Sequence, residues 1–213
     1  MPTGQRFGLY GVVLQLALAL GLGLFASRTD ASELGPPDGL ARGLSLGLLF
    51  AVPAVIAALG IRGGRPELLL AAAAMDAFSP LLSVATVVFV VPAGLFVAHA
   101  AATGKAPATI GALARSTLLV VTLVGLVVGG VVGLLALTES RCWAAYSTPT
   151  GTEYRYSPFV QGAELGHAPG AIGEGCDSGV LTTQGEASAA VLALGAIALA
   201  GLAGRPKRLP VSG

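Results

Sequence analysis

The sequence predicts an all-α integral membrane protein. The expected form is a helical bundle of four full transmembrane helices plus a proline-broken short hairpin, about six membrane segments in all, with a small disulfide-closed extracytoplasmic loop. Three observations carry this. The 213 residues are 54% hydrophobic and only 11% charged, where soluble domains run near about 25% charged. Apolar runs long enough to cross a bilayer recur along the chain. One long polar segment, 138–186, holds both cysteines (Cys142 and Cys176), the only tryptophan, Trp143, and Tyr146, Tyr154 and Tyr156. A soluble helical core is set aside because too few polar residues remain to cover its surface.

Net charge is +1, and no basic block is long enough to hold nucleic acid. Arginine outnumbers lysine and asparagine is absent. That usage points to a GC-rich bacterial genome and leaves no N-linked sequon.

The first membrane helix is expected over 7–26, after Arg6. A signal peptide has an apolar core of only about 7–15 residues and a small-x-small cleavage site. This run is longer and no such site follows, so it reads as a retained anchor. Residues 27–42 form a polar connector in which Pro36-Pro37 stops any helix. The second helix, 43–61, contains Pro53, which membrane helices tolerate with a kink. Gly43, Gly47 and Ala51 share one face, and Arg62 and Arg65 follow as a cationic stop.

Residues 66–101 are broken at 79–80, because the residue before a proline is pushed out of the α region. Glu67 to Phe78 would reach about 18 Å, short of a hydrocarbon core of about 30 Å. Leu82 to Ala101 would reach about 30 Å. Cytoplasmic loops are richer in Lys and Arg. A returning hairpin places Arg6, Arg62, Arg65, Lys105, Arg115, Arg205, Lys207 and Arg208 inside against Arg28, Arg42, Arg141 and Arg155 outside, 8 against 4. A single crossing moves Arg6, Arg62 and Arg65 out and Arg28 and Arg42 in, 7 against 5. The count favours the hairpin, with both termini cytoplasmic and 138–186 extracytoplasmic; a single crossing stays open.

Residues 103–115 read as a short loop. The next helix, 116–137, carries Gly125, Gly129 and Gly133 as two overlapping GxxxG units. Small residues at that spacing admit close helix contact, expected here within the chain rather than between copies. The last helix, 187–204, ends on the basic run Arg205 to Arg208, read as a positive-inside anchor. The whole chain, 1–213, reads as one membrane domain without the internal repeat of many transporters.

Two cysteines in an exported loop are expected to pair, because that side is oxidising. The closure is worth roughly 3–4 kcal/mol in the chain-entropy picture. His167, Glu164, Glu174 and Asp177 lie nearby without CxxC or paired-histidine spacing, so no metal site is expected. Tyr154-Arg155-Tyr156 alternates as a strand does, and Glu153 to Val160 is expected to pair in a hairpin. Its aromatic residues either pack the cap against the membrane interface, the simpler reading, or bind a partner or envelope material.

Arg141-Cys142-Trp143, Tyr154 to Tyr156 and the stretch from Gly170 to Val180, ahead of a final apolar helix, resemble a group of uncharacterised multi-pass integral membrane proteins of actinobacteria. Residues 78–95 are similar to theirs as well. The likeness covers most of the chain in layout and only these stretches in residues. It implies a bacterial cell-membrane protein and carries over no functional residue.

Ionisable residues within membrane segments are functional candidates by default. Here they are Asp76 and His99, with Gln15 as a weaker polar case. Interfacial placement is the simpler expectation for both: Asp76 near the hairpin tip, His99 reaching the cytoplasmic headgroups. No HExxH or P-loop occurs, Asp76 lacks an intramembrane Asp partner, and no nucleophile arrangement is recognisable. The expectation is therefore a non-enzymatic structural or accessory component presenting an external cap, without catalytic residue or cofactor. Its partners would be the lipid bilayer and another membrane or envelope protein. The alternative is a small-solute transporter or channel with Asp76 and His99 near its path.

Overall fold

The computed structural model describes residues 3–29, 39–79, 84–104, 109–158 and 169–204. Helix α1 (Thr3–Thr29) and α2 (Gly39–Gly63) come first, then the short α3 (Pro66–Phe78). A 3-10 turn (Val84–Phe89) leads into α4 (Val90–Thr103), and α5 (Ile110–Ala136) follows. Strands β1 (Thr138–Thr148), β2 (Gly151–Pro158) and β3 (Gly173–Leu181) precede α6 (Thr183–Ala203).

Five stretches are long and apolar enough to cross a membrane: Arg6–Phe25, Gly43–Gly63, Thr86–Thr103, Ile110–Leu134 and Gln184–Ala203. The fifth full-length member, beyond the four counted from sequence, is the second arm of the broken region. It gains its length because the 3-10 turn runs straight into α4. Helix α3, at 13 residues, reaches only about 20 Å. The outer faces stay apolar: Leu20, Leu48, Ile110 and Val191 are all exposed.

Three contacts fix how the helices run. The Pro66 side chain lies beside Gly104, so 66–104 leaves one end of the bundle and returns to it. Gly8 of α1 lies against Ile61 and His99, and Gly63 against Gly204. The start of α1 and the ends of α2, α4 and α6 therefore meet at one end. Gly23 meets Gly43 at the other, where the sheet also stands, since it joins the end of α5 to the start of α6.

Close backbone approach organises the packing. A Cβ at Gly23 would sit 2.7 Å from the Gly43 carbonyl oxygen, and Gly47 lies against Ala19 and Gly23. Without side chains there, α1 and α2 gain dispersion contact along their backbones. Helix α6 buries a row of small residues, Gly185, Ala189, Ala193, Ala196 and Ala200, and α5 meets it with Gly130 beside Ala189 and Leu134 beside Gly185. The internal packing expected of Gly125, Gly129 and Gly133 does not occur among the described residues: a Cβ at any of them would meet none of their atoms within 4 Å. The helix turns Gly130 inward instead, so the GxxxG face is left open.

Several boundaries also move: α1 runs on to Thr29 and α2 begins at Gly39, both inside the expected connector 27–42. Helix α5 begins at Ile110, inside the expected loop 103–115, because Thr109 caps it by accepting the Ala112 N–H at 3.2 Å. Helix α6 begins at Thr183 rather than 187, capped by Thr182.

The expected loop 138–186 is mostly a three-stranded antiparallel sheet, order β2-β1-β3. The expected hairpin strand is present as β2. Its central partner β1 runs on from α5, and its apolar Ala144-Ala145 and polar ends show no clean alternation in the sequence. Residues 159–168, including His167 and Glu164, lie outside the described ones.

Gly23→Leu should lower the thermal stability of detergent-purified protein by the about 1–3 kcal/mol typical of overpacking. Gly129→Leu should leave it within about 0.5 kcal/mol of wild type. Equal loss in both variants would mean that the α1–α2 approach is not what holds the bundle.

Candidate functional site

Helix α1 buries one continuous row: Gly8, Gly11, Gln15, Ala19 and Gly23. The spacing of three and four residues puts them on one face. Four are small and admit neighbours: a Cβ at Gly8 would press on the His99 ring, and one at Gly11 on the Phe96 ring. The fifth is a polar amide with no exposed surface.

Gln15 sits halfway along the span Arg6–Phe25. Its Nε2 donates to the Phe50 carbonyl of α2 at 2.9 Å and to Asp76 Oδ1 of α3 at 2.8 Å. The Phe50 carbonyl can only accept, which fixes the amide orientation. Both hydrogens of the amide are spent, and three helices are joined at one atom. Asp76 is also fully buried. Among the described residues two oxygens remain without a hydrogen-bond partner, Asp76 Oδ2 and Gln15 Oε1. Buried polar atoms are rarely left so, and each such case asks for an explanation.

The chain brings Asp76 here by breaking α3. Pro80 has no N–H to continue the helix. The last turn tightens instead, with the Ser79 N–H bonded to the Asp76 carbonyl. The Ser79 hydroxyl donates to the Met75 carbonyl at 3.4 Å, and the Thr86 hydroxyl donates to the Ser79 carbonyl. Phe89, the last residue of the 3-10 turn before α4, stacks on Phe50 with ring centres 5.0 Å apart and closes the site. The carbonyl end of a helix carries partial negative charge. Helix terminus, carboxyl and amide oxygen therefore all favour a small positive species at this point.

Both intramembrane candidates are buried inside the bundle. Asp76 is not exposed at the tip of α3: the small residues of α1 admit α3 into the bundle and Gln15 takes its carboxyl. His99 stands one turn before the end of α4, and its side chain is 3% exposed, turned against Gly8 rather than outward. Gly8 and Gln15 are seven residues apart, about 10 Å along a helix axis. The fold thus places Asp76 and His99 on one face of α1 without bringing them together.

Gly43-Leu44-Ser45-Leu46-Gly47 spells G-x-S-x-G. Ser45 lies inside α2, not on the strand-to-helix turn that exposes a hydrolase nucleophile. Among the described residues no three His, Cys, Asp or Glu side chains gather to hold a metal.

In the sheet, Cys142 and Cys176 stand opposite each other on β1 and β3 and are joined by a disulfide. Trp143 lies across Gly175, where a Cβ would come within 2.8 Å of its ring. The Arg155 guanidinium sits 4.8 Å from the centre of the Tyr146 ring. No protein-family model, curated protein or solved structure matches the chain.

Gln15→Leu should destabilise the protein by about 1–3 kcal/mol, because it strands the Asp76 carboxyl. Adding Asp76→Leu should recover part of that loss, read as a rise in melting temperature in detergent. A double variant no more stable than Gln15→Leu would show that the two side chains are not coupled.

Proposed function

We propose that the chain is a multi-pass membrane protein of the cell membrane that moves a small cation, a proton or an alkali-metal ion, through a site at Asp76 and Gln15. The supporting observation is the pair of oxygens, Asp76 Oδ2 and Gln15 Oε1, that have no partner among the described residues and lie buried halfway along the span-length α1 at the end of a half-length helix. A purely structural polar pair would have its remaining atoms satisfied, since unpaired polar groups are costly in an apolar interior. Ionisable groups within membrane segments mark ion and proton pathways. Interrupted helices near mid-depth build cation sites in transporters from carbonyl ends and side-chain oxygens. In this reading the bundle end rich in Arg and Lys faces the cytoplasm, both termini lie there, and the disulfide-closed sheet faces outward. His99 lies between Asp76 and the cytoplasmic end.

Vesicles reconstituted with wild-type protein should dissipate an imposed gradient faster than protein-free vesicles. A pH gradient with an internal pH dye reads the proton; a sodium gradient at constant pH reads the alkali ion. Asp76→Asn should return the rate to that of protein-free vesicles. Wild-type vesicles no leakier than empty ones, or Asp76→Asn vesicles as leaky as wild type, would sink the proposal.

A second reading is an accessory protein that presents the sheet to an envelope partner. What favours it is how firmly the sheet is held. Thr182 donates its hydroxyl to the Leu137 carbonyl at 2.5 Å and accepts the Gly185 N–H at 3.1 Å, tying the end of α5 to the start of α6. Under this reading a stoichiometric protein should co-purify in mild detergent and be lost with Trp143→Ala. Purification as a lone oligomer would remove that reading and leave the first untouched.

A further inference from the structure

At the bundle end where α1 begins, α3 is the floor of a groove walled by α4 and α5. It holds about 880 Å³, within the roughly 300–1,000 Å³ of ordinary ligand sites. Its composition changes with depth. Near the bundle end it is lined by Arg65, Glu67, Thr103 and Ser116; further in by the aliphatic side chains of Leu70, Val97, Ala101 and Val121. Ala112 and Val121, both on its α5 wall, are nine residues apart, about 14 Å along a helix. The groove is thus polar at one end and hydrocarbon-lined at the other.

The mouth is positively charged. Arg65 Nη1 bonds Glu67 Oε1 at 3.0 Å, and the side chain is 35% exposed. Glu67, 14% exposed, holds the guanidinium in place and offsets one charge. Arg6, Arg62 and Arg115 are exposed at the same end. Arginine suits phosphate because its planar fork can donate two parallel hydrogen bonds.

We propose that this groove binds one anionic phospholipid, its phosphate on Arg65 and an acyl chain along Leu70, Val97 and Val121. The proposal rests on the bilayer placement, which sets the mouth at headgroup depth and the aliphatic part in the hydrocarbon. It is independent of the Asp76 site. A zwitterionic lipid would use the hydrocarbon part equally well and gain nothing from the net charge at the mouth.

The test is lipid retention. Purified protein is equilibrated with vesicles of equimolar phosphatidylcholine and phosphatidylglycerol, extracted in mild detergent and weighed intact by native mass spectrometry. Wild type should keep one phosphatidylglycerol per chain in preference to phosphatidylcholine. Arg65→Gln should weaken that retention about fivefold, the roughly 1 kcal/mol of one charge at a membrane surface. Ala101→Trp should fill the groove and release the lipid; Arg65→Gln decides alone should that larger change prevent folding. Equal retention of both lipids, or an unchanged Arg65→Gln variant, overturns the groove proposal. So does a wild-type dimer with no lipid that Ala101→Trp dissociates, since a second copy would then be the occupant. A chain that enters no vesicle overturns the bilayer placement as well, whereas one that enters without lipid preference overturns the groove alone.

Discussion

Gly8, Gly11, Ala19 and Gly23 let α2 and α4 lie against α1 at near-backbone distance, and much else in the bundle follows from that closeness. A helix pair in an apolar surrounding gains little from hiding hydrocarbon and depends on tight packing and internal hydrogen bonds. The α1 row supplies the packing. It also forces the one polar member of the row, Gln15, into the interior. Once there, the amide has to find partners, and it finds them on two other helices, the Phe50 carbonyl and Asp76. Close packing and the buried polar site are therefore one arrangement.

The same requirement explains how an irregular segment survives inside the bundle. Interrupted backbone is tolerated at depth only where its polar groups are satisfied by the protein itself. Ser79 and Thr86 do this around the break before Pro80, through the Met75 and Ser79 carbonyls. Both side chains are buried. The break stops α3 after 13 residues, which places its carbonyl end and Asp76 beside Gln15.

At the opposite end the problem is the reverse: a polar segment must leave two packed helices without loosening them. Helices α5 and α6 approach through Gly130, Gly185 and Ala189. Thr182 ties their ends, β1 continues directly from α5, and the disulfide joins β1 to β3. The sheet thus extends the α5–α6 pair, with its feet fixed by hydrogen bonds and its strands cross-linked.

The sequence by itself determined the apolar helices, the proline break and the cysteine pair. Each follows from local composition: long hydrocarbon runs cannot be solvated, Pro80 lacks an N–H, and the two cysteines of one polar segment are each other's available partner for a disulfide. It also held the signal for the site, since Gln15 stands at three- and four-residue spacing in a row of glycine and alanine. That signal is faint because the row shows which face of α1 is close-packed but not what packs there. Only the tertiary structure decided that Asp76 meets Gln15, 61 positions away in sequence. It also decided that His99 is buried beside Gly8, and that α5 turns Gly130 inward and leaves Gly125, Gly129 and Gly133 open. The physical reason is common to all three. In a chain this rich in Gly and Ala many helix faces are narrow enough to pack, and which of them do is fixed by how several helices fit together at once.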